Sequence, residues 1–398
     1  MNKFFSSLVT ISTLSAGASA FGQGLISLRP DKDEFERRLP LTITLDVGAG
    51  YDSNVNLSST DKVDSAYLTA GVTGQYRGGD RRTNYSASLS YSGFYYLDPP
   101  TTTDDYMNAA RLSLNFSHKF SPKTSISNTL YFAYEFEPNY QIGAGTSRRT
   151  QEYLYGYNDL SITHAWGRKF STVTGYTISG IDYQEDAYNG ENYLSHVVHQ
   201  EFRYALSKLT TAALDYRFAI ANYDGGGFGD YTSHYVLAGL DHNFSRRAFG
   251  GFRAGAEFRD RDFGGANANP YVEANLSYRA DKETTLNSYA RYGYEDSDVG
   301  TYQDRTSYRI GLTAQRRLTD RLNTTVGLHY IHDEFGGATT EGDTSYDEDV
   351  FAASIGFDFS LYKNISLSTS YSFSTSNSGN EFREYDRHNV SLGLRATF

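Results

Sequence analysis

Alternation between apolar and polar residues dominates this chain from Leu41 to its last residue. In the final segment every second residue is apolar, namely Val390, Leu392, Leu394, Ala396 and Phe398. A period of two is the primary signal of a β-strand with one apolar and one polar face. A closing strand with an apolar outside, a polar inside and a terminal aromatic residue is typical of a bacterial outer-membrane barrel.

The breaks between the alternating segments are of two kinds, which take turns along the chain. Eight are short, such as Gly79–Arg81, and nine are longer and rich in Gly, Asn and acidic residues, such as Asp52–Val63 and Gly264–Asn269. Short periplasmic turns and longer extracellular loops are the pattern of outer-membrane barrels. The count predicts an all-β, transmembrane, antiparallel up-and-down barrel of about eighteen strands. A soluble β-propeller or β-helix is the rival, but neither needs connections that alternate in length.

The start of the chain predicts export. Lys3 precedes the apolar run Phe4–Leu14 and the small residues Ala18–Ala20, which is the pattern of a secretory signal peptide. We therefore predict a signal peptide at residues 1–20, a charged periplasmic extension at 21–39 and the barrel at 40–398. An even number of strands places both ends of the barrel in the periplasm.

Composition narrows the class further. The chain has 35 Tyr, 25 Phe and one Trp, and tyrosine suits both strands and a membrane–water boundary. Its formal net charge of −11 disfavours a nucleic-acid partner, which needs clustered Lys and Arg. It contains no cysteine, so disulfides cannot stabilise it.

The polar face of the strands predicts the residues that line the lumen. The charged candidates are Arg111, Glu201, Arg203, Asp215, Arg217, Arg253, Glu257, Arg259, Glu273, Arg291 and Arg309. The tyrosine candidates are Tyr131, Tyr235 and Tyr289. Both signs of charge occur, which favours a wet, mixed-charge conduit over an ion-selective filter. These charges and rings could also serve only to brace and fill the wall.

No catalytic motif is visible, and we predict no enzymatic activity, cofactor or metal. His329, His332 and Asp333 form the best remaining acid–base or metal candidate. His196 and His199 are three residues apart on a strand and should therefore point to opposite faces.

Two short segments resemble the putative beta-barrel porin 2 family. Its members tend to begin with an Arg-Pro leader and a first strand that ends in Tyr-Asp-Asp-Asn-Val, and Arg29-Pro30 and Tyr51–Val55 match this pattern. Ser53 departs from the commoner Asp. The resemblance implies an outer-membrane barrel. Because similar proteins often occur with exopolysaccharide or capsule synthesis systems, it also implies a role in polysaccharide export.

Three functions follow from these observations. The first is a channel for exopolysaccharide or capsule export, and the alternative is a general or sugar-specific diffusion porin with Pro138–Arg149 folded inward. An outer-membrane enzyme is the least favoured. The expected partners are outer-membrane lipid and lipopolysaccharide, the barrel-assembly machinery and a periplasmic polysaccharide-export protein. Phe398 is the expected signal for the assembly machinery. The expected location is the bacterial outer membrane.

Overall fold

The computed structural model describes residues 40–99, 105–137, 151–184, 192–224, 229–262, 265–296, 302–338 and 345–398. The signal peptide and extension predicted for residues 1–39 lie outside these ranges. The loop Pro138–Arg149, which was predicted as an inward-folded segment, lies outside them as well.

Eighteen strands make up most of the described chain. They are β1 (Leu41–Asp52), β2 (Ser65–Gly79), β3 (Thr83–Tyr96), β4 (Tyr106–Lys119), β5 (Thr124–Glu135), β6 (Tyr153–Ala165), β7 (Phe170–Tyr183), β8 (Tyr193–Ala205), β9 (Thr210–Tyr223), β10 (Tyr231–Asn243), β11 (Ala248–Arg261), β12 (Gly265–Arg279), β13 (Thr284–Asp296), β14 (Tyr302–Thr319), β15 (Leu322–Ala338), β16 (Tyr346–Ser360), β17 (Ile365–Ser378) and β18 (Tyr385–Thr397). One turn of 3-10 helix, Glu381–Arg383, precedes β18. Among the described residues, no helix has the length and apolar character to cross a membrane.

The strands form one closed antiparallel sheet. Each pairs with its neighbours in sequence, and β1 pairs with β18 from Thr44 opposite Thr397 to Asp52 opposite Asn389. The predicted eighteen-stranded up-and-down barrel is therefore confirmed. The eight connections at one end, which we call the turn end, have two to four residues. The nine at the other end, which we call the loop end, have five to seventeen residues, except the three-residue connection between β11 and β12. One predicted boundary is wrong, because β12 begins at Gly265 and includes most of the loop expected at Gly264–Asn269.

The two faces of the wall differ as the alternation requires. On β1, Leu45 and Val47 are 48% and 57% exposed, whereas Asp46 between them is 7% exposed. The exposed apolar side chains point outward along every strand, where lipid would cover them, and the polar ones point into the lumen.

A belt of three histidine–aromatic pairs lies on the outer face at the turn end, next to β4, β6 and β10. The rings of His118 and Phe120, His164 and Trp166, and His242 and Phe244 meet edge to face at 4.8, 4.5 and 4.7 Å between centroids. Each of these histidines also shares a hydrogen bond of 2.8–2.9 Å with a threonine at the start of the neighbouring strand. Amphipathic rings at this level are typical of the membrane–water boundary.

A second belt lies at the loop end, where outward tyrosines and histidines share hydrogen bonds. The pairs are Tyr176–His196 at 2.7 Å, and Tyr216–His234 and Tyr371–His388 at 2.8 Å. His234 and His242 mark the two belts on β10. Their eight-residue spacing corresponds to about 27 Å along a strand, or about 20 Å across the membrane at the usual tilt. The belts therefore frame an apolar band about 20 Å high, which is somewhat shorter than the band of about 25 Å typical of outer-membrane barrels.

Deletion of Phe398 should impair assembly far more than transport. Its backbone N–H donates to the Ile43 carbonyl at 2.8 Å and its carbonyl accepts from the Ile43 N–H at 3.0 Å, so it extends the seam between β1 and β18. Its ring is 61% exposed on the outer face. The fraction of heat-modifiable, folded barrel on gels should fall, while the single-channel conductance of assembled barrels should stay unchanged. Equal losses of both would contradict this assignment.

Candidate functional site

Paired arginines dominate the inner face of strands β8 to β13, which we call the arginine face. Arg203 donates to Glu201 at 2.5 Å, and Arg253 donates to both Glu201 at 2.5 Å and Asp241 at 2.9 Å. Each carboxylate in this group is less than a tenth exposed. Because unpaired buried charges are costly, these pairs keep both signs of charge in the wall.

A second group of pairs lies farther toward the loop end. Arg217 donates to Asp215 at 2.8 Å and to Glu273 at 2.7 Å, and Glu273 also accepts from the Tyr271 hydroxyl at 2.8 Å. Nearby, Arg291 of β13 lies 3.1 Å from Glu295, and its guanidinium carbon lies 5.5 Å from the centroid of the Tyr271 ring on β12. These contacts link inward side chains of β9, β12 and β13 into one continuous polar surface.

Several of these pairs join strands that are not neighbours. Arg253 on β11 reaches Glu201 on β8, although three strand spacings amount to about 14 Å. Gly239 on the intervening strand β10 makes this possible, because a Cβ there would lie 2.6 Å from Arg253 Cδ. The concave inner wall thus allows contacts that simple cross-strand pairing does not predict.

Arginine–tyrosine stacking completes the arginine face near the loop end. Arg259 pairs with Glu257 at 2.8 Å and stacks over Tyr231, with its guanidinium carbon 4.2 Å from the ring centroid. Arg261 lies over the same ring at 4.6 Å. Arg261 also donates from Nη1 to the Gly229 carbonyl at 3.3 Å, so both stacked guanidinium groups make hydrogen bonds through their edges.

Tyrosines dominate the inner face of strands β5 to β7, which adjoin β8; we call this surface the tyrosine face. Its rings belong to Tyr131, Tyr153, Tyr155, Tyr157 and Tyr183, and neighbouring centroids lie 5.9–6.4 Å apart. Of these only Tyr131 was among the predicted site residues. Tyr153 and Tyr157 have the same parity as Tyr155 on β6, so the alternation contained the signal for them.

The remaining predicted lumen residues also lie on the inner wall. Arg111 on β4 pairs with Glu135 on β5, with one contact of 2.7 Å. Arg309 donates to Ser307 at 2.9 Å. The Tyr235 ring meets Tyr271 edge to face at 5.4 Å, and the Tyr289 hydroxyl lies 3.4 Å from His329. That these predicted lumen residues contact a solute stays a prediction.

The first loop, residues 53–64, folds into the lumen. Val55 is 1% exposed and packs in a cluster with Tyr67, Phe94 and Tyr96 of β2 and β3. Leu57 is 5% exposed and belongs to a cluster on the other side of β1, formed by Ile331, Val350, Ala352 and Tyr385. The loop therefore lies against the inner wall on both sides of β1 and occupies part of the lumen near its loop-end mouth.

Hydrogen bonds hold the first loop in this position. Asn54 is fully buried, and its side-chain amide donates to Ser58 O at 2.8 Å and to Asp386 O at 2.9 Å. Leu57 adopts a left-handed backbone conformation with φ of 51°. That conformation costs a leucine about 1 kcal/mol, which the packing of its side chain offsets.

A buried ion cluster anchors the same region. Arg387 Nε donates to both oxygens of Asp52 at 2.9 Å, and Arg387 Nη2 donates to Glu137 at 2.6 Å. All three side chains are at most 5% exposed. Asp52 also accepts from the Asn54 N–H at 3.0 Å, which ties the cluster to the first loop. Glu137, which follows β5, thereby contacts β18 through the interior.

The suspected acid–base group does not assemble. His329 points into the lumen and is 3% exposed, whereas His332 points outward and lies 2.9 Å from Asp349. Asp333 points inward and pairs with Arg305 at 3.1 Å. Residues three apart on a strand face opposite sides, and the same reasoning holds for His196 and His199.

Charge is segregated along the barrel axis. The eight connections at the turn end contain eleven Lys or Arg and four Asp or Glu. The nine connections at the loop end contain four Lys or Arg and eighteen Asp or Glu. The turn-end cations are Arg81, Arg82, Lys123, Arg168, Lys169, Lys208, Arg246, Arg247, Lys282, Arg321 and Lys363. The two mouths of the lumen therefore present opposite potentials to a solute.

A closed barrel with an apolar outer band and a polar inner wall is the architecture of an outer-membrane β-barrel protein. Residues 257–398, from β11 to the end of the chain, match the family model described as Putative beta-barrel porin 2. The match confirms the resemblance predicted from the sequence, although the residues that suggested it lie before the matched segment.

Solved structures with a similar fold are distant in sequence. OccAB4 of Acinetobacter baumannii is 12% identical, with a TM-score of 0.44 and coverage of 92% of this chain and 100% of that one. OccK2 (OpdF) of Pseudomonas aeruginosa, solved in complex with glucuronate, is 11% identical, with a TM-score of 0.47 and coverage of 90% and 98%. No curated protein matches the chain. Likenesses this distant carry no argument about function.

Proposed function

We propose that the protein is a diffusion porin for small hydrophilic solutes. The observation that carries the proposal is the inner wall, which combines paired charges of both signs with the inward-folded first loop. A balanced wall provides donors and acceptors for hydration and for polar solutes without a barrier to one sign of charge.

Sugars are the solutes that this wall fits best. The arginine face offers N–H donors and carboxylate acceptors that can bond hydroxyl groups. On the tyrosine face, Tyr157 is the ring that is only partly buried, and it can stack against the apolar side of a sugar ring. The other four rings are at most 6% exposed and support it from behind. A solute that crosses between the two faces would meet both kinds of contact.

Export of exopolysaccharide, the first function predicted from the sequence, has no support in the comparisons. A long polymer needs a wide and continuous bore, whereas Val55 and Leu57 hold the first loop inside the mouth. The diffusion porin therefore replaces it as the favoured function.

Conductance of the purified barrel in planar bilayers tests the proposal. We expect ion-conducting channels whose current falls when mono- and disaccharides enter, because a solute inside the lumen displaces ions. Long glycans should leave the current unchanged. A barrel that does not conduct ions, or one that long glycans enter as readily as short sugars, would refute the proposal.

A further inference from the structure

A cavity of about 460 Å³ lies at the turn end of the barrel. It is located between the turn that joins β10 to β11 and the turn that joins β12 to β13. Phe249 and Ser277, which line it, pair with each other across the sheet and share the parity of the inward residues Arg253 and Glu273. The cavity therefore opens toward the lumen mouth rather than toward lipid.

The lining of this cavity is strongly cationic. It includes Arg246, Arg247, Arg279 and Lys282, and its single acidic residue is Asp281. The Asp281 carboxylate accepts from the Glu283 N–H at 2.7 Å and from the Thr284 hydroxyl at 3.1 Å, so it is engaged within its own turn. The hydrogen bond from the Glu283 backbone lowers the pKa of Asp281, so its carboxylate stays ionised at neutral pH.

Short contacts between the two turns fix the shape of the cavity. Arg247 donates from Nη1 to the Ala280 carbonyl at 3.1 Å, and the Arg279 N–H donates to the Arg247 carbonyl at 2.7 Å. The Ser245 hydroxyl accepts from the Arg247 and Ala248 N–H groups at 3.1 and 3.0 Å. The cations are thus carried by backbone that is already ordered.

We infer that this cavity is a binding site for phosphate-bearing anions at the inner mouth of the barrel. Guanidinium groups recognise phosphate oxygens in a bidentate manner, and several cations around one cavity favour an anion with more than one charge. The basic turn end would concentrate such anions near the cavity, since the loop end is acidic. Phosphate is also part of lipid headgroups, but the cavity faces the lumen, so we assign it to a solute.

Binding of inorganic pyrophosphate to the intact barrel in dodecyl maltoside tests the site. The cavity variant carries Arg246→Gln, Arg247→Gln and Lys282→Gln. The matched control carries Arg81→Gln, Arg82→Gln and Lys123→Gln, which remove the same charge from turns outside the cavity. Calorimetry should show that the dissociation constant rises about tenfold or more in the cavity variant and about twofold or less in the control.

Two results would overturn the assignment. Equal weakening in both variants would mean that pyrophosphate senses only the general charge of the turn end. Loss of pyrophosphate binding when the wild-type barrel is moved into nanodiscs rich in phosphatidylglycerol would assign the cavity to lipid headgroups. Heat modifiability on gels verifies that both variants fold. Because the readout is binding and not conductance, the result does not depend on whether the barrel is a diffusion porin.

Discussion

Shortening the first loop is expected to raise single-channel conductance about two- to threefold, because the loop occupies part of the lumen cross-section. The variant replaces residues 54–62 with a short Gly-Ser linker, which retains the β1–β2 connection and removes Asn54, Val55 and Leu57. The measurement is current through single barrels in planar bilayers. Larger sugars should also enter the variant than enter the wild-type barrel.

A second variant guards against a folding defect in the deletion. Val55→Asp with Leu57→Asp keeps the loop length but removes two buried apolar anchors, each worth about 1.5–3 kcal/mol. It should release the loop from the wall and raise conductance in the same direction. The control Thr60→Gly with Asp61→Ser alters only the exposed part of the loop. If the control matched both variants, or if neither variant changed the current, the loop would not narrow the channel.

Replacement of Arg387 by Met is expected to lower the free energy of unfolding by about 3–5 kcal/mol, because it leaves two buried carboxylates without their cation. Those carboxylates belong to Asp52 and Glu137, which are almost fully buried in the interior. Urea titration of the barrel in detergent would measure the loss. Trp166, the single tryptophan of the chain, reports unfolding by its fluorescence and lies far from the change, at the turn end.

The matched control breaks an exposed pair in the same part of the barrel. Lys62 lies 2.5 Å from Asp386, and the two side chains are 36% and 51% exposed. Lys62→Met should cost less than about 1 kcal/mol, because solvent screens such pairs. If Arg387→Met cost no more than Lys62→Met, the buried cluster would not anchor the first loop and the strand seam.

The alternation of residues predicted the barrel in detail because strand period and burial are linked by geometry alone. The inward direction of residues such as Arg217 and Tyr289 follows from a period of two. Strand number and the order of turns and loops follow from the breaks between the alternating segments. The same alternation also places His329 and His332 on opposite faces of β15, although the sequence alone led us to keep them as one candidate site.

The path of the first loop could not be predicted from the same rule. Alternation assigns residues to faces of a strand, but a loop has no period. The available signal was composition, because Val55 and Leu57 are apolar residues within an otherwise polar loop. Pairs such as Arg253 with Glu201 were also beyond prediction, since they depend on the curvature of the wall and on the space left by Gly239.

The most direct test of a size-limited diffusion channel is the current through single wild-type barrels in the presence of sugars of increasing length. Mono- and disaccharides should reduce the current, and the reduction should vanish for glycans too long to pass the first loop. The result that would contradict this account is an equal reduction by short and long glycans, or a barrel that carries no ionic current.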